Sequence, residues 1–426
     1  MYAEMETENF QTKTEIIGGP TIFGKFLLEI IYMLVPQKVV RKTYARTKGK
    51  LWAVLARNKY HVFVSTQSQI ENFSAAPIND LSLQEASYEI LPLELHGGVP
   101  VGCTPGNLGL WRSTIGSNLR GCLWSLQPLF HLKMIKGLEE EFKAGDFNTE
   151  YKVGLNSFAY GITIKINALM IVGENLRTAL MKYGGNIDEL AALVREEVVD
   201  RWDLPTEHCK TKYMDCIQWT MERAKSPTIE GVLCSFSLYT LCKHPEYLEP
   251  LRKEAKEATN TAQDAINDGM PLLDSFLKEV ARCNPIATVT MPHKVMKPFT
   301  FSDGASVPVG NFICIPSAEI MGNEAIYPNA SKFDGFRFVE SNKSETTGGL
   351  KFSHPSWKFP YWGTVKQACP GRFYAALVAK MFISHFITHY DFKLADENVA
   401  PKFHWGIASV PHPRLAILVQ HRKQEG

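Results

Sequence analysis

Phe359-Pro-Tyr-Trp-Gly-Thr-Val-Lys-Gln-Ala-Cys369-Pro-Gly-Arg-Phe-Tyr374 runs directly into the apolar segment AALVAKMFISHF. It presents one cysteine on a glycine-bearing loop just before a helix. Pro370 suits a helix start, because it has no N–H to lose and its φ is already helical. Gly363 and Gly371 allow a tight turn and close approach to something flat and bulky. The dipole and free amides of a helix N-terminus favour the thiolate, the state in which sulfur binds a metal. A cysteine on its own is more often a buried free thiol, so its surroundings must decide.

The whole chain has 426 residues, 45% of them hydrophobic, and a net charge of +2. That is enough apolar residue for a sizeable core, and the charge gives no case for a nucleic-acid partner. Nine scattered cysteines, an odd total with no C-x-x-C pair, read as reduced thiols and not as a disulfide framework. The most apolar early run, TIFGKFLLEIIYMLV, carries Lys25 and Glu29 and is too short to span a bilayer. The spacing of Phe26, Ile30, Met33 and Leu34 predicts an amphipathic helix that packs on the protein or lies at a membrane surface.

Further elements follow in order. A basic helix over QKVVRKTYARTKG is closed by Gly49, and the strand-like runs LWAVLA and YHVFVST flank a turn at Arg-Asn-Lys. Residues 94–109 are rich in Gly and Pro and read as a loop; a helix over 109–130 and a Lys/Glu-rich helix over 133–143 come next. Apolar residues at 229, 232, 233, 236, 238 and 241 predict a long buried helix ending near His244-Pro245, with a charged helix from Glu246. Glu279 and Arg282 share one helical face at i, i+3, Asp303-Gly304 marks a hairpin, and the chain ends in a strand pair.

The cysteine loop resembles the haem-binding loop of the cytochrome P-450 family, aromatic-Gly-x-Gly-x-Arg/His-x-Cys-x-Gly, and ACPGRFYA is most similar to fungal members that oxidise terpenoids. The resemblance implies a mainly α fold with small β-sheets and one domain over residues 1–426; fungal members usually carry an N-terminal anchor, whereas residues 1–35 here read as an amphipathic segment without a transmembrane anchor. It implies haem, with its iron on the Cys369 thiolate, which favours O–O cleavage. Trp362, Gly363, Gln367 and Gly371 would line that loop, although Trp362 replaces the usual Phe, Val365 the second Gly, and Gln367 the propionate-binding Arg or His. His293 stands where the family commonly has a second propionate-binding Arg; Arg112 is either a further propionate partner or a surface arginine.

In the family, Glu279, Arg282 and the Arg337 of KFDGFRF form a buried structural network. The 94–109 loop would be a substrate lid. The helix from 229 would be the distal helix, whose acid–threonine pair delivers protons for O–O cleavage. Counting back from His244-Pro245, that pair falls on Thr228-Ile229, so the threonine is replaced by isoleucine, and Pro227 would exaggerate a kink. The catalytic candidates are therefore Thr228 and Glu230, the latter a substitute donor or else a residue that faces solvent or caps the kink. Ile286, Ala287, Val289, Trp405 and Ile407 are the substrate-pocket candidates, with Trp405 alternatively a core residue.

The implied function is monooxygenation of a hydrophobic secondary metabolite, using an NADPH-dependent reductase. The enzyme would be a monomer, on the cytoplasmic side, soluble or peripherally attached to the endoplasmic reticulum. Two other classes stay open: a haem enzyme that isomerises, dehydrates or cyclises without oxygen, and a non-catalytic relative.

Overall fold

A computed structural model describes residues 10, 13–18, 21–90, 120–142, 149–172, 229–260, 269–340, 351–364 and 368–422. The first elements are strand β1 (Glu15–Ile16), helices α1 (Ile22–Leu34) and α2 (Pro36–Thr47), strands β2 (Trp52–Ala56) and β3 (Lys59–Phe63), and helix α3 (Gln67–Ala75). Next come β4 (Leu81–Ser82), α4 (Leu83–Ile90), α5 (Arg120–Phe142), β5 (Tyr151–Gly154), α6 (Leu155–Val172), α7 (Ile229–Lys243), α8 (Leu248–Asn260) and α9 (Pro271–Cys283). Strands β6 (Thr290–Val295), β7 (Phe299–Thr300), β8 (Ser306–Val307) and β9 (Phe312–Ile315) lead to α10 (Ser317–Met321), α11 (Arg337–Glu340) and α12 (Arg372–His389). Strands β10 (Tyr390–Leu394), β11 (Lys402–Trp405), β12 (Ala408–Pro411) and β13 (Ala416–His421) close the described chain. The architecture is mainly helical with small sheets.

The chain divides into two compact units. One holds residues 1–113, 278–372 and 404–409. Its sheet has the order β1-β2-β3-β9-β6-β4. Arg57 and Asn58, both at positive φ (51° and 61°), turn β2 into β3 with Ala56 opposite Lys59. This mirror-image turn matches the right-handed twist of the strands. The sheet buries Trp52 stacked on Phe63 at 3.8 Å on one side, and Ala53, Val62, Phe73 and Ile313 on the other. The period-2 alternation of β2 and β3 puts these sets on opposite faces. The Asp303-Gly304 signal is a hairpin, β7 pairing β8 around Gly304 at φ 80°.

Helix α1 has two faces. Tyr32 is buried and Leu28 packs toward the Trp52 cluster, while Phe23, Phe26, Leu27, Met33 and Leu34 stay exposed. Among the described residues no helix is long and apolar enough to cross a membrane.

The other unit holds residues 114–277, 373–403 and 410–426. Where two helices were expected around residue 130, one helix, α5, runs through Pro128. Proline removes a helical hydrogen bond, but Phe130, Met134, Leu138 and Phe142, four apart, are all buried, and that continuous apolar edge carries the helix onward. Phe142 joins Phe158, Phe386 and Tyr390 in an aromatic cluster with centroids 5.0–6.3 Å apart. Helix α12 is apolar on nearly every side and buried accordingly; its one buried cation, Lys380, pairs with Asp274. The expected strand pair near the end is β11 with β12, and β13 lies in addition between β10 and β5 in a three-stranded sheet.

Candidate functional site

The cysteine loop opens with a 3₁₀ turn over Pro360–Trp362 and reverses at Gly363, whose φ of 90° suits glycine. The loop closes on itself, Cys369 N donating to Trp362 O at 2.7 Å. The Trp362 indole, buried, donates from Nε1 to Phe352 O at 2.6 Å and packs on the rings of Phe352 and Tyr361. Helix α12 begins at Arg372, two residues after Pro370, with Pro370-Gly371 as a turn. Arg372 Nη1 donates to Cys369 O at 2.9 Å. A Cβ on Gly371 would lie 3.9 Å from Cys369 Sγ, an ordinary contact, so this glycine relieves no clash and leaves room beside the sulfur.

Two observations favour a thiolate ligand here. Cys369 is only half-buried, whereas Cys234 and Cys314 are buried and desolvation pushes their thiols up; Cys242 is likewise pushed to about 12. Inside the same loop, the buried Thr364 Oγ1 has no hydrogen-bond partner among the described residues. Such a hydroxyl, on the same loop as a partly exposed cysteine, fits a site completed by a bound group. The loop residues therefore fit a haem, which Cys369 would hold with Trp362, Gly363, Thr364 and Gly371 on the same loop. Thr364 was not singled out from the sequence, since an unpartnered hydroxyl is visible only in three dimensions.

Glu279, Arg282 and Arg337 come together as expected. The Glu279 carboxylate, fully buried, accepts from Arg282 Nε and Nη2 at 2.7 Å each, from Arg337 Nε at 3.1 and 3.2 Å, and from Asp334 N at 3.1 Å. Arg282 also donates to Met321 O and Ala330 O, and Arg337 to Pro328 O and Lys332 O. Burial works against the Arg282 charge, yet the Glu279 carboxylate holds the guanidinium more firmly protonated than usual. The forked guanidinium is what allows one side chain to satisfy so many fixed acceptors.

Helix α7 supplies the second set of candidates. Glu230 is 9% exposed, so it does not face solvent. Burial first, then the Glu230 charge, raises the pKa of both Cys234 and Tyr374. The helix hydroxyls are bonded back to its own carbonyls: Ser235 to Gly231, Ser237 to Leu233, Thr240 to Phe236. Glu230 is thus the only carboxyl on α7. Gly231 packs so tightly on α6 that a Cβ would lie 2.2 Å from Tyr160 Cδ1.

Residues 286–288 and 407–409 pair through Ser409 N to Ile286 O and Thr288 N to Ile407 O, bringing Ile286, Ala287 and Ile407 together. Val289 instead lies 3% exposed in the Trp52–Phe63 core, where it serves packing. Trp405, at the hairpin of β11 and β12, is 81% exposed and fills no core. His293, buried on β6, packs edge-on against Phe73 at 4.7 Å. Arg112, Thr228 and Gln367, with the 94–109 loop, Pro227 and Val365, lie outside the described residues.

Comparison with known proteins gives the same direction. Residues 232–419 match the family model described as Cytochrome P450. The chain is 32% identical over 206 residues to the cytochrome P450 monooxygenase terQ of Tolypocladium album, covering 46% of this chain and 36% of that protein. It is 35% identical over 196 residues to olcJ of Penicillium canescens, covering 44% and 36%. With sirB of Leptosphaeria maculans the identity is 31% over 247 residues, covering 50% and 47%. Both are also named cytochrome P450 monooxygenases. The matched stretch spans less than half the length of each of these relatives.

Proposed function

Since residues 232–419 belong to the cytochrome P450 family, we propose that the chain adopts that family's fold as one domain and is a haem–thiolate monooxygenase of a hydrophobic, terpenoid-like secondary metabolite. The observation that carries this is Cys369, a half-buried thiol on a glycine loop that also carries the unpartnered Thr364 hydroxyl. The interleaving of the two compact units, with the chain passing between them at residues 113, 277, 372, 403 and 409, supports one folding domain. Names of relatives such as terQ and paxQ, all fungal monooxygenases, support the reaction class.

Bound haem would supply electron transfer and oxygen chemistry. The chain's own part is to hold and protect. Cys369 Sγ is the iron ligand, and Trp362 pins the loop through its bond to Phe352 O. The Glu279 network fixes the segment that leads into that loop by bonding carbonyls at 321, 328, 330 and 332. Glu230, buried on α7, would be the proton donor in a stretch whose serines and threonine are committed to backbone carbonyls. Thr228 is its partner in this reading. Ile286, Ala287, Ile407 and Trp405 offer the apolar lining, Val289 backing it from the core. Arg112, His293 and Gln367 would meet the propionates. Electrons would come from an NADPH-dependent reductase, and the exposed face of α1 would support peripheral contact with the endoplasmic reticulum by a monomeric enzyme.

One observation favours a second reading. Ile229 occupies the place of a proton-delivering threonine, so chemistry that consumes no oxygen, an isomerisation, dehydration or cyclisation, would suit the same haem site. Two measurements decide. The reduced, carbon-monoxide-bound protein should show the red-shifted Soret band of a thiolate ligand, lost in Cys369→Ala; an imidazole-like band in fresh wild-type protein overturns the assignment. Turnover under labelled oxygen with a reductase should then put the label in product. Product formed equally well without oxygen or reductase replaces the monooxygenase by the second reading.

A further inference from the structure

Glu279 and its neighbour Lys278 make two successive contacts between α9 and the short helix α11. Glu279 takes Arg337, and Lys278 takes the next residue, Phe338, its Nζ lying over that ring 4.6 Å from the centroid. The same ammonium lies 5.1 Å from the ring centroid of Phe359, the residue that opens the cysteine loop. The two rings meet at 6.5 Å and 65°, so one cation serves two adjacent π faces.

Lys278 is 2% exposed and Phe359 1%. A lysine seldom sinks this far, because its ammonium is strongly hydrated. Two ring faces replace part of that hydration, and a cation–π contact gains strength once desolvated. A second link runs parallel. Arg282 lies over the Tyr327 ring at 5.2 Å, and Tyr327 Oη donates to Lys358 O at 3.0 Å, one residue before Phe359. The buried network thus reaches residues 358 and 359 by two routes.

Within the loop the contacts continue. Phe359 stacks on Tyr361 at 5.7 Å with planes 18° apart, and Tyr361 meets Trp362 edge-on at 4.9 Å. Trp362 O accepts from Cys369 N. From the lysine to the backbone of the cysteine, each group touches the next.

We propose that Lys278 is a positioning residue for Cys369: its ammonium, held on Phe338 and Phe359, carries the rigidity of the Glu279 network into the cysteine loop. The charge, and not only the bulk, is what the two rings bind. Its importance follows from the haem–thiolate reading, in which Cys369 must be held.

The test compares Lys278→Met, which keeps an unbranched chain able to pack on the rings, with Lys278→Arg, which keeps a cation able to stack on them. Hydrogen exchange of the full haem-loaded chain is read peptide by peptide. In Lys278→Met the peptides carrying Phe359 and Cys369 should exchange about tenfold faster, the effect of one desolvated cation–π contact. Peptides from β2 and β3 should exchange as in wild type, and Lys278→Arg should bring the loop back toward wild type. In the reduced, carbon-monoxide-bound protein, warming should convert the thiolate Soret band of Lys278→Met to the unshifted kind about tenfold faster than that of wild type. Wild type without the shifted band would sink the haem–thiolate reading alone, since loop exchange still decides the role of the lysine. Where Lys278→Met yields too little protein, Phe359→Leu, which removes one ring, is measured in its place with the same expectation. Unchanged loop exchange, an equal change in Lys278→Met and Lys278→Arg, or faster exchange in every peptide overturns the assignment.

Discussion

The Glu279–Arg282–Arg337 network and the His131–His385–His389 cluster are both polar groups set among apolar helices, and they are built on opposite principles. The first joins unlike charges in a fully buried carboxylate cradle, with backbone carbonyls taking the remaining guanidinium N–H groups. The second stacks the rings of His385 and His389 at 4.0 Å and sets His131 edge-on against His385 at 5.6 Å, where burial and then the neighbouring imidazoles lower the pKa of His385 and His131. Unlike charges under saturating hydrogen bonds give rigidity; like groups packed together give a response to protons.

The sharpest way to break this contrast is to remove one charge from the first network. Glu279→Ala should leave two guanidinium groups without their carboxylate and cost about 3–5 kcal/mol. Denaturant melts should show it, together with little soluble haem-loaded protein, and Arg282→Ala should behave alike. A variant that melts like wild type would place the pair among solvated surface contacts, against its geometry.

The histidine cluster should answer to pH instead. An unfolded histidine titrates near 6.5, whereas folded His385 is held down to about 3. Between these values the unfolded chain binds the extra proton, so stability is full above about pH 6.5 and falls as the solution is acidified. The slope from one such group is at most about 1.4 kcal/mol per pH unit. His385→Gln should flatten that part of the profile, measured as melting free energy from pH 7 to 4. An unchanged slope would mean the cluster does not stay neutral in the fold.

The smallest effect is expected at an exposed pair. Arg46 and Glu15 meet at 2.6 Å, but both side chains are substantially exposed. Arg46→Ala should cost about 0.2–1 kcal/mol and less in high salt. A loss matching that of Glu279→Ala would show that burial is not what separates the two networks.

How much of this was legible in the chain follows from how local each feature is. Cys369 with its glycines and proline is a contiguous motif, and Glu279 with Arg282 is a spacing inside one helix, so both can be read from order alone. The burial of α7 was legible because its apolar positions recur with helical period. The continuity of α5 through Pro128 was not, because it depends on four buried residues outweighing one lost hydrogen bond. Of the histidine cluster, the i, i+4 pair His385 and His389 was open to inspection, but His131 lies more than 250 positions away and only packing brings it there. Thr364 was invisible for a similar reason: a hydroxyl is orphaned by its neighbours, not by its sequence.

Gly231 has a mechanical consequence. Helix α7 rests on Tyr160 through a residue with no side chain, like a shaft seated in a notch. Rolling the helix by one residue, about 100°, would drive Glu230 or Val232 into the ring that Gly231 now clears. The shaft therefore has one angular setting, and Glu230 takes its bearing from it. Position 231 is the one that must not grow.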